Sequence, residues 1–92
     1  MPKILIFKNI WIFIFYGTDV YENRCHVHVG KKDTFELCKI WLEPKIEIAN
    51  KGELTLKEQR TVLEIAEKYQ NEIKSQWTNF KKGKETKVIK IN

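Results

Sequence analysis

The sequence predicts an α+β fold: a mostly antiparallel sheet of four to six strands with one long C-terminal helix packed on one face. Three observations lead there. The first half of the chain is a series of short runs rich in β-branched and aromatic residues, each closed by turn formers. Residues 55–82 carry apolar side chains at helical spacing behind a capping motif. Ninety-two residues, 42% hydrophobic with only four Gly and two Pro, make a single folded domain over 1–92.

Lys3–Phe7 is the first apolar run, and Lys8-Asn9 breaks it. Residues 10–16 follow, almost all β-branched or aromatic. Trp11, Phe13 and Phe15 share one face of that strand; Ile10, Ile12, Ile14 and Tyr16 share the other. Both faces are apolar, which predicts a central strand covered on both sides, or one whose second face is an interface. The two-residue break predicts a hairpin, although Lys-Asn lacks the glycine such turns favour.

Gly17-Thr18-Asp19 is a turn cluster, and residues 20–24 are a polar connector. Cys25–Val29 predicts the next strand, residues 30–33 a four-residue loop, and Thr34–Leu42 a longer strand. That loop places Val29 opposite Thr34 and Cys25 opposite Cys38. Cys25, Val27, Val29, Cys38, Ile40 and Leu42 then share one face. His26, His28, Phe35, Leu37, Lys39 and Trp41 share the other. The register brings the two thiols within reach of a disulfide, but a reducing compartment favours two packed thiols instead. Pro44 ends the strand, and Lys45–Ala49 offers a short edge strand, so these strands fall within about residues 3–48.

Thr55-Leu-Lys-Glu58 fits a capping box, with Thr55 at the N-cap. Val62, Ala66, Tyr69, Ile73, Trp77 and Phe80 then recur at spacings of 4, 3, 4, 4 and 3, which predicts one helix over about 55–82. Gly83 supplies its stop. Residues 86–91 predict a last, basic edge strand.

The net charge is +5, and residues 81–92 alone hold five Lys against one Glu. Arginine occurs only at 24 and 60. Bases are read mostly by bidentate arginine, so sequence-specific DNA recognition is not expected, while a weak contact with nucleic acid is allowed. Two cysteines and no recognisable secretory signal point to the cytoplasm. The apolar stretch Ile4–Tyr16 is shorter than the roughly 20 residues a membrane helix needs, so it reads as strands and no membrane association is expected.

Both histidines of the chain lie in Cys25-His26-Val27-His28-Val29. On a strand they project from the same face. With Lys39 beside them they supply, on paper, the acid, the base and the cation of a metal-independent ribonuclease, with Arg24 holding the phosphate. A metal is the other chemical option, on His26 and His28, but it needs a third ligand. Asp19, Glu22 and Glu43 are near in sequence, though at no recognised ligand spacing. The competing reading is a satisfied polar face or an interface. No cofactor is predicted.

The blocks Phe15-Tyr16…Asp19…Glu22…His26-Val27-His28-Val29 and Lys39-Ile40-Trp41-Leu42-Glu43-Pro44, followed by Trp77 late in the helix, resemble small bacterial proteins grouped as domain of unknown function 4160. The resemblance covers roughly residues 1 to 80. This chain departs from the family where a proline usually precedes the first histidine, here Arg24-Cys25, and at Cys38, where a small residue is usual. The resemblance implies membership of toxin–antitoxin-like gene pairs and carries no established reaction. The expected partner is a second small protein from a neighbouring gene, or another copy of the chain. The expected working face is His26, His28 and Lys39, with Arg24, Glu22, Trp41 and Glu43 as binding residues.

Overall fold

The β-branched and aromatic runs of the first half supply five strands: β1 (Lys3–Phe7), β2 (Trp11–Ile14), β3 (His26–Lys31), β4 (Cys38–Trp41) and β5 (Glu47–Asn50). Two helices, α1 (Leu56–Lys68) and α2 (Gln70–Lys81), follow, and then β6 (Ile89–Ile91). The computed structural model describes residues 2–32 and 37–92. The strands form one sheet in the order β5-β4-β3-β2-β1-β6.

Neighbours from β1 to β5 pair antiparallel, whereas β6 runs parallel to β1. The sheet is therefore mixed, not mostly antiparallel as the strand runs predicted. The helical layer returns the chain from the β5 edge to the β1 edge, so β6 enters in the direction of β1. In the β1–β2 hairpin, Lys8 and Asn9 adopt φ of 51° and 57°, and the Ile10 N–H donates to the Phe7 carbonyl at 3.0 Å. Asparagine takes that left-handed conformation readily; for a residue such as lysine it costs about 1–2 kcal/mol.

The single long helix is also corrected. α1 and α2 meet at Tyr69, whose φ and ψ are −109° and 20°. A straight run from residue 56 to 81 would extend about 39 Å at roughly 1.5 Å per residue. The longest dimension of the whole molecule is 34 Å. Bending at Tyr69 keeps both halves on the sheet. The ring of Tyr69 packs on Phe7, centroids 6.2 Å apart, and the Gln70 side chain donates to the Glu67 carbonyl at 3.2 Å. The capping box forms as read: the Glu58 N–H donates to Thr55 Oγ1 at 3.2 Å, and the Thr55 N–H to Glu58 Oε1 at 3.0 Å.

The β3–β4 register pairs Val29 with Cys38, Val27 with Ile40, His28 with Lys39 and His26 with Trp41. Cys25 is therefore not opposite Cys38; its carbonyl accepts the Leu42 N–H at 2.9 Å. Both thiols are free and buried. β3 continues to Lys31 and β4 begins only at Cys38, so a short loop does not set the register. The slip is four residues. An even slip leaves every side chain on its expected face. The expectations for Thr34 and Phe35 lie outside the described residues.

Phe13, Val27, Val29, Ile40 and Leu5 accordingly form a fully buried layer with Val62, Ala66 and Ile73 of the helices. On the other face of β2, Ile14 is buried, Ile12 half-buried and Ile10 exposed. The connector read as a turn is a 3₁₀ segment, Gly17–Tyr21, and it covers part of this second face.

Candidate functional site

Alternation along β3 places His26 and His28 on the face away from Val27, and the two rings meet edge-on with centroids 5.2 Å apart. Both are buried: His26 is 0% exposed and His28 8%. Trp41 and Trp77 enclose His26 at centroid distances of 5.6 and 5.0 Å, and Tyr16 covers His28 at 4.2 Å.

The third polar group is Asp19, itself only 3% exposed, carried in by the 3₁₀ segment. A reciprocal local pair fixes it there. The Tyr16 N–H donates to Asp19 Oδ2 at 2.7 Å, and the Asp19 N–H donates to the Tyr16 carbonyl at 2.9 Å. Oδ1 lies 3.1 Å from His26 Nε2, and Oδ2 lies 3.3 Å from His28 Nε2. Both Nε2 atoms are shut off from solvent. Nδ1 of His26 is 2.9 Å from the Arg24 carbonyl oxygen. Burial holds His28 below the ordinary imidazole value; the Asp19 carboxylate opposes that shift, and His26 adds to it.

A DUF4160 model, described as a domain of unknown function, matches residues 10–78. The chain belongs to that family. No curated protein and no solved structure matches it. The matched span of the DUF4160 domain takes in Asp19, both histidines, β4 and Trp77.

The remaining expected residues of this DUF4160 chain lie beside this buried cluster. Trp41, half-buried, is flanked by the Arg24 guanidinium at 4.1 Å and the Lys39 ammonium at 4.4 Å from its ring. Arg24 donates from Nη2 to Glu47 Oε1 at 3.0 Å and from Nε to the Glu43 carbonyl at 2.9 Å. Glu43 thus contributes its backbone, while its residue is exposed. Glu22 Oε2 accepts from Lys39 Nζ at 3.4 Å and lies 3.6 Å from His26 Nδ1. The Lys81 ammonium closes the far side by donating to the carbonyls of Val20 and Glu22 at 2.6 and 2.5 Å.

Two groups escaped the sequence reading of the working face. Asp19 was one of three acids near the histidines, with nothing in its spacing to single it out; only the 3₁₀ segment brings it beneath them. Trp77 sits on the helix stripe, and periodicity cannot distinguish a core tryptophan from one that walls a pocket. In this arrangement Nε2 of both rings is shielded from solvent. No helix among the described residues is long and apolar enough to cross a membrane.

Proposed function

We propose that this chain is the partner-binding member of a toxin–antitoxin-like pair and that it docks a second small protein on the Trp41 surface. The observation that carries the reading is the half-buried indole of Trp41 between Arg24 and Lys39. Tryptophan and arginine are the residue types most often found to dominate binding energy at interfaces. The His26 ring packs against Trp41 and touches His28, so the histidine pair acts on binding through Trp41. Half-buried Ile12 and exposed Ile10 extend the same side of the sheet with apolar surface. A net charge of +5 favours an acidic partner through steering.

Co-expression with the product of the neighbouring gene tests the proposal. A stable complex is expected on size-exclusion chromatography. Trp41→Ala is expected to weaken it by about 2 kcal/mol or more, a hot-spot loss. Lys39→Glu, which leaves the indole in place, is expected to weaken it less and to alter its salt dependence. Two separate peaks at micromolar concentration would overturn the reading.

A further inference from the structure

We infer that Asp19, His26 and His28 bind one divalent transition-metal ion of the zinc class, tying the Gly17–Tyr21 segment to β3. The observations behind this site do not include the partner proposal, and metal uptake is read without a partner. The argument begins at His26 Nδ1, 2.9 Å from a backbone carbonyl oxygen. A carbonyl only accepts, so Nδ1 is the donor of this pair, and the ring edge left to face Asp19 is Nε2. Nε2 lies 3.1 Å from Asp19 Oδ1. His28 Nε2 approaches Oδ2 of the same carboxylate at 3.3 Å. Neither Nε2 has a hydrogen-bond partner or contact with solvent. A cation between the carboxylate and the two imidazole nitrogens would satisfy all three buried groups at once.

The spacing of the donors is compatible with a metal. Metal–donor bonds of about 2.0–2.1 Å at right-angled or tetrahedral angles hold adjacent donors roughly 2.9–3.4 Å apart, and the two carboxylate–imidazole distances fall in that range. All three donors lie within 4.8 Å of one another. The supporting contacts are also those of a metal site. A carbonyl orients the His26 ring through Nδ1, and the Tyr16 N–H holds Asp19 Oδ2 at 2.7 Å. Two imidazole nitrogens and a carboxylate select zinc and its transition-metal neighbours over magnesium or calcium, which take oxygen ligands. Because the nitrogens are shielded from solvent, the ion's role is to hold the fold together, not to activate water.

The rival cation is a proton, giving an imidazolium–carboxylate pair. Tag-free protein, stripped with chelator and titrated with Co²⁺ and then Zn²⁺, separates the two. One equivalent of Co²⁺ per chain is expected, with visible ligand-field absorption that Zn²⁺ displaces, and a melting temperature raised by several degrees. Asp19→Ala and His28→Ala are expected to lose at least about tenfold in affinity, while Glu53→Gln, on the exposed β5–α1 connection, keeps it. Should the site variants fail to fold, ¹⁵N NMR of the wild-type histidines decides. Joint movement of both Nε2 resonances on adding Zn²⁺ supports the site. A His26 ring that stays doubly protonated in excess Zn²⁺ overturns it, as does the lack of stoichiometric uptake, or equal uptake by the folded variants.

Discussion

On the helix side of β3, Val27 and Val29 are buried among Phe13, Ile40 and the helices. One residue along, on the opposite side, His26 and His28 are nearly as deeply buried, against Asp19 and an aromatic wall. The same strand thus buries two kinds of side chain at equal depth. Apolar groups need only area and fit, and the surrounding volume supplies both. Imidazoles must also satisfy two ring nitrogens each, so their surroundings have to be chemically specific. The first face tolerates many sequences of the right size; the second tolerates few, which is why it is the face to probe for function.

The largest effect expected from breaking this contrast is on the apolar side. Phe13 is fully buried at the centre of the sheet and pairs with Val29. Phe13→Ala should cost about 3–5 kcal/mol, because the rigid layer leaves a cavity. Urea unfolding would show it as a lower midpoint with an unchanged slope. A loss below about 1 kcal/mol would mean that the helices collapse onto the gap and that the layer is not close-packed.

That apolar face was the legible part of the fold. Period-two alternation assigned Val27, Val29, Ile40 and both cysteines to it correctly even though the β3–β4 register was four residues out. Alternation survives any even slip, whereas pairing depends on the length of a connection that composition does not fix. The parallel β6 and the bend at Tyr69 were not legible, because both answer to the size of the sheet and not to local propensity. The histidine pair was legible as a pair. Its partner Asp19 was not, since a five-residue 3₁₀ segment has no periodic signal to mark which side chain it turns inward.

The second effect tests the polar side. Asp19→Ala removes the acceptor of the Tyr16 N–H and leaves the two Nε2 atoms facing a void. The expected cost in metal-free protein is about 1–3 kcal/mol. Asp19→Asn keeps an acceptor for Tyr16 and should recover part of that loss. Equal destabilisation by Ala and Asn would show that the charge of Asp19 matters and its hydrogen bond does not. Thermal melts of the three proteins under chelating conditions make the comparison.

The smallest effect concerns the two cysteines, buried on the apolar side of the sheet. Burial pushes the Cys25 thiol up to about 12, with the Glu43 carboxylate adding to the shift, and burial alone pushes Cys38 up to about 11. In the unfolded chain both return to about 9. Below that value both states hold their thiol protons and stability is unaffected. Above it the unfolded chain releases protons that the folded chain keeps, so unfolding gains and stability falls as pH rises towards 11–12. Lysines and tyrosines titrate in the same window, so the measurement is a difference. Wild-type protein should lose stability more steeply above about pH 9 than the Cys25→Ala, Cys38→Ala double variant. Parallel curves would mean that the thiols ionise as readily in the folded chain as in the unfolded one, and the helix side would then be wetter than its packing implies.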